Sequence, residues 1–524
     1  MEVRSVANLS RAQVVFALTG MVLTLLTATM NQALGIPAIP RAIASLNGFA
    51  RYPWVATSHL LTTTLAMPVF AKLSDLYGRK WLYLGATASF VVSLLLCGAA
   101  GNLPVPLDGM NQLIVARGLL GIGNGAIIAL TFTLVADLFP PSERGRYQGI
   151  LSAVYGFSFI IGPGLGGWIT DHFSWRWTYY VNVPLGVLAI AAVYFTLPDS
   201  RPHRARRSID WAGMATLCGW IVPLLIAMTW IGQSSGSAPS IEALLAAAAV
   251  FLLAFILVER RAAEPLLALD LFHDRRISLM WVNFFLLGIC LFGVAVYLSL
   301  FIQGVLGESA VKSGLVFAGY TLSVMASNLL SGQMVSRIGR HRPFAIGGCG
   351  LAACGLFLMS QMNASTTHPV LLGNAILCGI GFGMLTPTYE VLVQNAAPKE
   401  QLGVATGFTQ FSQTIGGTIG LAIFGTILLR VYHLHIDSLI PPGTPRALTQ
   451  AFDNPLQLFF TRPNLETAFA QLANGRVLLA SLLEGAHIGL LSALRSIFMY
   501  SAWMMALSFV LNLFLNDESA QKDH

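Results

Sequence analysis

The sequence predicts an all-α polytopic membrane protein with 14 transmembrane helices, arranged as two six-helix bundles plus two inserted helices. Three observations predict this class: an apolar composition, a series of long apolar stretches and an internal repeat. Of 524 residues, 55% are hydrophobic and only 10% are charged, and the mean hydropathy is +0.69. A soluble domain has about a quarter of its residues charged, so this composition indicates a chain that lies in a lipid bilayer.

The apolar stretches give the helices in order. A bilayer core requires about 20 apolar residues per spanning helix. Fourteen stretches satisfy this requirement, at approximately 13–36, 54–73, 81–100, 111–136, 147–170, 177–197, 211–231, 241–258, 277–302, 314–336, 343–362, 370–393, 404–429 and 493–515. The first leads into Pro37 and Pro40 without a small-residue cleavage site, so we expect a spanning helix rather than a cleaved signal.

Basic residues orient the predicted spans. The loops on the side of both termini, counted with the termini and with Lys72 at the end of span 2, hold 20 Lys and Arg, whereas the short loops on the other side hold four. Because cytoplasmic loops are enriched in Lys and Arg, we expect both termini in the cytoplasm. The net charge of +7 then reflects topology rather than nucleic-acid binding. All six cysteines fall within apolar stretches, which favours packing roles over disulfides or a metal site.

An internal repeat organises the spans into halves. The loop 71–80 after span 2 is echoed 261 residues later by 332–341, and the Gly-Ile-Gly at 121–123 in span 4 returns at 379–381, at an offset of 258. Parallel halves of this kind place a substrate site near the bilayer midplane at their interface. In the outer loop, 466–490 has the pattern of an amphipathic helix, so we expect a lid or a membrane-surface helix there. The predicted domains are an N-terminal bundle at 1–199, a linker with two inserted helices at 200–276, and a C-terminal bundle at 277–524 with the outer loop at about 430–492.

Four motifs carry a resemblance to a known family. They are Asp75 with Gly78, Arg79 and Lys80 after span 2; Arg117 to Gly123 in span 4; Gly156, Gly162, Pro163, Gly166 and Gly167 in span 5; and Trp175 to Trp177 before span 6. With these motifs the whole chain resembles the major facilitator superfamily and, within it, the fourteen-helix drug:proton antiporter family. The resemblance implies the major facilitator fold and a monomeric multidrug efflux transporter of the cytoplasmic (inner) membrane that needs no cofactor.

The resemblance also assigns roles to two of these motifs. In the family the loop after span 2 latches the outward-facing arrangement; a solvated turn is the alternative. The glycines of span 5 would let a neighbouring helix approach closely and act as an antiporter hinge. The expected partners are small residues of span 10, namely Ala326, Ser327, Ser331 and Gly332. The predicted cytoplasmic latch consists of Asp75, Gly78, Arg79, Lys80, Asp137 and Arg144.

Polar side chains in the outer halves of spans 1, 2 and 4 predict a shared functional layer. Arg117 is the strongest candidate, because a charge inside an apolar helix needs a partner. Asn31 stands where the family carries a membrane-embedded Asp that accepts protons, and Asn does not titrate. His59 stands where the family usually has Tyr, and its ordinary pKa near 6.5 lets it change charge near neutral pH. His59 is therefore either a substitute proton carrier or a neutral hydrogen-bonding residue.

Two further positions bear on ion coupling and on the substrate. The family pattern has an arginine at the position of Gln413 in span 13. The family's Asp at the position of Asn31 and this arginine carry opposite charges, and both are absent from this chain. Glu390 in span 12 is either an embedded coupling carboxylate or an interfacial anchor. Aromatic and Met-rich surroundings in spans 9 and 10 suit bulky, amphipathic and often cationic compounds. The candidate cavity residues are Asn283, Tyr297, Gln303, Tyr320, Asn328 and Gln413.

The sequence contains no motif typical of an enzyme. The glycine pattern at 121–125 lies within an apolar helix without a preceding strand, and no ATP-binding sequence is present. We therefore expect export of small amphipathic molecules by alternating access, in exchange for protons. The alternatives are a facilitator or exchanger of another solute or lipid, and a non-transporting membrane receptor.

Overall fold

A computed structural model describes residues 11–138, 141–197, 211–233, 238–262, 269–338, 340–397, 402–437 and 475–515. These residues form helices and connecting turns, and no strand occurs among them. The helices are α1 Arg11–Ser45, α2 Tyr52–Tyr77, α3 Arg79–Ala99, α4 Gly109–Leu138, α5 Pro141–His172, α6 Trp177–Tyr180, α7 Asn182–Thr196, α8 Trp211–Gln233, α9 Ala238–Glu259, α10 Arg275–Leu300, α11 Ala310–Ile338, α12 Arg342–Ser360, α13 His368–Ala396, α14 Leu402–Asp437 and α15 Gly475–Leu513.

The predicted all-α membrane fold class is confirmed. Within the described ranges, 13 helical segments are long and apolar enough to cross a membrane, with α6 and α7 counted as one. The remaining predicted span is α2, where four threonines and His59 dilute an otherwise apolar sequence. Polar side chains are costly inside a membrane, so their concentration in this helix already points to a function.

Two stretches of the chain differ from the prediction in their boundaries. α14 continues to Asp437, and α15 begins at Gly475 and runs without interruption to Leu513. The separate amphipathic helix predicted at 466–490 is therefore wrong in its described part, because 475–490 is the first half of a spanning helix. Its apolar side chains, including Leu482 and Leu490, are buried, and Gly489 packs on Tyr432 and His435 of α14. Residues 466–474 lie outside the described ranges.

The described residues form two compact units. The first unit comprises the described residues within Met1–Ile39, Trp54–Ile221 and Ala249–Leu266, and the second comprises those within Pro40–Pro53, Val222–Ala248 and Leu267–His524. The first predicted bundle thus lies mainly in the first unit and the last predicted bundle in the second.

The internal repeat is visible as equivalent helix packing in the two units. A Cβ added at Gly125 of α4 would lie 3.0 Å from the Cβ of Ala66 on α2, and a Cβ at Gly383 of α13 would lie 2.8 Å from the Cβ of Ser327 on α11. These pairs are related by the offsets of 258 and 261 residues that the sequence motifs gave. The same glycine therefore permits the same close approach of two helices in both halves.

Candidate functional site

A polar layer forms in the first unit because α2 and α4 lie unusually close together. A Cβ added at Gly121 would lie 3.1 Å from the carbonyl carbon of His59, so a larger residue at Gly121 would push the helices apart. The hydroxyl of Thr62 donates to the backbone carbonyl of Gly118 at 2.7 Å and ties the two helices at the same level. This approach brings His59 of α2 beside the polar residues of α4.

His59 is buried, with 5% of its surface exposed. Its Nε2 atom lies 3.5 Å from Nδ2 of Asn124, one helical turn beyond Gly121 on α4. An amide nitrogen only donates, so Nε2 acts as the acceptor and the neutral ring carries its proton on Nδ1. Within the described ranges this Nδ1 has no hydrogen-bond partner. The His59 ring also interacts with the backbone of Arg117 on α4.

Arg117 is the charged member of the layer. Its Nη1 donates to the hydroxyl of Tyr179, the next-to-last residue of α6, at 3.1 Å, while its Nε has no hydrogen-bond partner among the described residues. The charge of Arg117 acts on His59 and on Tyr179, both of which are buried. No described carboxylate lies within ion-pair distance of the guanidinium.

Asn31 approaches this layer from α1. The Cβ position at Gly35 lies 3.9 Å from Nη1 of Arg117, and Asn31 is one turn earlier on the same helix face. Asn31 is 5% exposed, and its Nδ2 finds no partner in the described part of the chain. The structure therefore brings Arg117 and His59 together and places Asn31 on the α1 face that meets Arg117.

Two members of the layer were missed by the sequence reasoning. Asn124 faces His59, and Tyr179 accepts from Arg117. A usable signal existed for Asn124, because its counterpart at the offset of 258 is Phe382. A polar residue in one copy of a repeat and an aromatic residue in the other marks a position where the two halves differ in function.

The glycine face of α5 packs against α1 within the first unit. A Cβ at Gly166 would lie 2.8 Å from the Cα of Leu34, and a Cβ at Gly162 would lie 3.3 Å from the carbonyl carbon of Ala33. Within the second unit, the expected partner residues of α11 pack on α13, where Ser327 donates to the carbonyl of Ile380 at 2.7 Å. The sequence did not predict α1 as a neighbour of α5, because small residues indicate close packing without identifying the helix that packs there. The predicted contact with span 10 stays a prediction. The remaining motif residues Gly156, Pro163 and Gly167 are buried in the continuous helix α5.

Part of the predicted cytoplasmic latch can be placed. Gly78 has a φ of +89° and a ψ of 149°, a conformation available almost only to glycine, and it separates α2 from α3. The ammonium of Lys80 lies 5.5 Å from the ring centre of Tyr194 on α7, a cation–π distance. Arg79 is the first residue of α3. The side chains of Asp75, Asp137 and Arg144 lie outside the described set, so the latch stays a prediction.

Three candidate cavity residues of the second unit have defined partners or neighbours. The hydroxyl of Tyr297 donates to the carbonyl of Leu421 at 3.3 Å. Gln303 lies in a π-helical turn, Phe301–Val305, that follows α10, and its amide donates to Ser299 at 3.1 Å. Tyr320 is buried edge-on against Phe382. Asn328 and Gln413 are half-buried on α11 and α14.

Asn283 belongs to a buried polar cluster that joins four helices of the second unit. Ser508 of α15 donates to Oδ1 of Asn283 on α10. Asn512 donates to the hydroxyl of Tyr389 on α13 at 2.7 Å and lies 3.2 Å from the sulfur of Cys349 on α12. All five side chains are buried, so their hydrogen bonds fix how these helices pack.

Glu390 has a neutral partner. Its Oε1 accepts from the amide of Gln410 on α14 at 3.0 Å, and the carboxylate lies about two turns before the end of α13. A cavity of about 620 Å³ occurs elsewhere in the second unit, where α12 ends between α14 and α15. Arg495 and Trp503 are among its lining residues, and none of the sequence-predicted site residues lines it.

Comparison with known proteins identifies the family. The sequence matches the Major Facilitator Superfamily over residues 16–421, so the chain belongs to this superfamily. The multidrug transporter protein MdtP of Bacillus subtilis (strain 168) is 32% identical over 426 residues, which are 81% of this chain and 77% of that protein. Multidrug resistance protein 3 of the same organism is 32% identical over 423 residues, 80% of this chain and 81% of that protein.

Solved structures agree with the fold. A bacterial homologue of the human lysosomal transporter Spinster, in an inward-facing conformation, superposes with a TM-score of 0.65 at 13% identity, over 98% of this chain and 100% of that chain. A D-xylose-proton symporter superposes with a TM-score of 0.57 at 16% identity, over 79% and 90% of the two chains. At these identities the likeness concerns the fold alone, and it confirms the major facilitator architecture.

Proposed function

We propose that this protein exports small amphipathic, drug-like compounds across the cytoplasmic membrane by alternating access, in exchange for protons. The observation that carries the proposal is the similarity over four fifths of the chain to two proteins named as multidrug transporters. We further propose that both termini are cytoplasmic, as the distribution of Lys and Arg predicts, and that a single chain is the working unit.

The polar layer of the first unit supports a role in coupling. His59 is the residue in this layer of a type whose ordinary pKa lies near neutral pH, since Asn31 does not titrate and the arginine side chain is a fixed cation. His59 is buried, contacts Asn124 and lies within the field of Arg117. In this proposal, transport depends on His59 through proton exchange. The competing role is that of a neutral hydrogen-bonding residue that only holds α2 and α4 together.

A second candidate function is a facilitator or exchanger that lacks conventional proton coupling. The observation that favours it is the absence of a described carboxylate beside Arg117, together with neutral residues at Asn31 and Gln413. Such a protein would move another solute or lipid down its own gradient. A non-transporting receptor would show no flux at all.

Transport into inverted membrane vesicles separates these functions. We expect a panel of amphipathic dyes to accumulate when a pH gradient is imposed and to leave when the gradient is collapsed. Flux that ignores the gradient would identify a facilitator, and no flux with dyes, lipids or metabolites would exclude a transporter.

The His59→Gln variant tests the proposed coupling residue. We expect it to lose accumulation driven by the pH gradient while keeping downhill flux. The control is His172→Gln, at the exposed end of α5. Unchanged gradient-driven transport in His59→Gln would assign the neutral role to this residue.

A further inference from the structure

We propose that the polar layer around Arg117 binds the anionic group of the transported amphiphile: a carboxylate, a sulfonate or a phosphate ester. The inference rests on the proposed function, because it names the substrate class of the same transporter. It replaces the expectation of cationic substrates, which came from aromatic and Met-rich helices and took no account of the fixed charge in the first unit.

The first step is that the guanidinium of Arg117 lacks a counter-charge. Its described partner is the Tyr179 hydroxyl, which is neutral. The described carboxylates of the first unit belong to Asp108, Asp171 and Glu259, and each of them lies at a helix end. A charge within an apolar helix is costly unless it is paired, so Arg117 is a cation for which the described residues of this unit provide no anionic partner.

Carboxylates near the other helix ends are too far away to serve. Asp137 follows Arg117 by 20 residues on α4, which is about 30 Å along the helix. Asp75 follows His59 by 16 residues on α2, which is about 24 Å. An arginine side chain spans only a small part of these distances. The positive charge of the layer is therefore not neutralised from within its own helices.

The second step is that open donors accompany the charge. Nε of Arg117, Nδ2 of Asn31 and Nδ1 of His59 are each shielded from solvent and without a hydrogen-bond partner among the described residues. The first two are N–H donors, and the His59 ring lies beside the backbone of Arg117. Buried N–H donors beside a cation match the acceptor oxygens of an anion, whereas a cationic group carries N–H donors of its own and needs acceptors.

The third step is that the aromatic members of the layer suit the apolar part of such a molecule. Tyr179 lies beside Arg117 and packs edge-on against the buried ring of Trp175. In this proposal, the charged end of the amphiphile lies at Arg117 and its apolar body packs beside Tyr179. A compound with a positive headgroup would instead meet the like charge of Arg117.

Binding to the purified full-length protein tests the inference without requiring transport. The probes are 11-(dansylamino)undecanoic acid and its primary amide, which share an apolar body and a fluorophore and differ in charge. We expect the acid to bind more tightly than the amide to the unaltered protein. In Arg117→Gln we expect acid binding to weaken by about 10- to 100-fold, the range for losing a charge-assisted hydrogen bond, while amide binding changes little.

Matched variants separate this effect from a folding defect. Arg117→Lys keeps the charge and should retain part of the preference for the acid. Arg260→Gln removes an exposed arginine of the same unit, directly after the end of α9 and outside the layer, so it should leave the preference intact. Size-exclusion profiles of all variants would show whether each is folded.

Each outcome bears on a defined claim. Equal binding of the acid and the amide to the unaltered protein, or an unchanged preference in folded Arg117→Gln, would overturn the inference and leave the proposed transport untouched. Acid-selective binding that depends on Arg117 supports the inference. If the acid binds in this way and yet no probe crosses the membrane, the proposed export fails while the anion site stands.

Discussion

A methyl group at Gly123 tests whether the repeated glycines set the distances between helices. In the structure, a Cβ at Gly123 of α4 would lie 2.9 Å from the Cβ of Phe90 on α3 and 3.0 Å from its Cα and backbone nitrogen. Ordinary carbon contacts are about 3.5–4.0 Å, so α3 and α4 would have to separate by roughly 0.5–1 Å. The obstacle is backbone and a Cβ, and neither can rotate away.

The expected cost follows from these contacts. Overpacking a well-packed interface costs about 1–3 kcal/mol, and the higher helix propensity of alanine returns at most about 1 kcal/mol. With the full return from alanine, Gly123→Ala should still destabilise the protein, by up to about 2 kcal/mol. Gly118→Ala is the matched control on the same helix, because its Cβ would meet only the Cγ2 of Thr62 at 3.8 Å.

The assay is thermal unfolding of the detergent-purified variants, followed by size-exclusion chromatography. We expect a lower midpoint for Gly123→Ala and a midpoint for Gly118→Ala that is equal to or above that of the unaltered protein. Equal midpoints for the two variants would refute the expected clash, because the close approach of α3 at Gly123 would then have no effect on the free energy of unfolding.

Two further predictions concern stability. Asn512→Ala should destabilise the protein by about 1–3 kcal/mol in the same unfolding assay, because buried polar groups of three neighbouring helices lose a shared partner. Ser496→Ala should change little, because among the described residues the Ser496 hydroxyl bonds within its own helix, to the carbonyl of Ser492. Gly78→Ala should cost about 1–3 kcal/mol because its φ of +89° disfavours a side chain, whereas Gly85→Ala, with no atom within 4 Å of its Cβ position, should be neutral or stabilising. Indistinguishable midpoints within either pair would contradict the corresponding reasoning.

Much of the fold could be predicted because both signals, the hydropathy of the spans and the internal repeat, are spread over many residues. The spans appear as helices, and the offsets of 258 and 261 return as the packing of Gly125 on Ala66 and of Gly383 on Ser327. The continuity of α15 could not be predicted, because an amphipathic stripe has the same pattern whether it faces a membrane surface or a neighbouring helix. Here the neighbour is α14, at Tyr432.

The candidate site was predicted in part for a similar reason. Arg117, His59 and Asn31 stood out because polar residues are rare in apolar helices. Tyr179 did not, since a tyrosine near a helix end is common and its role depends on which arginine it meets in three dimensions. The neighbour of Gly162 and Gly166 was likewise missed, because small residues allow close packing with any helix.

The most direct test of the central claim, substrate export in exchange for protons, is a measurement of proton movement during transport by the purified protein in liposomes. A pH-sensitive dye trapped inside reports internal pH while an amphipathic substrate is added outside, with no other source of energy. We expect a change of internal pH that starts with substrate addition, scales with substrate uptake and is lost in His59→Gln. Substrate uptake without any pH change, or a pH change that does not depend on substrate, would contradict it.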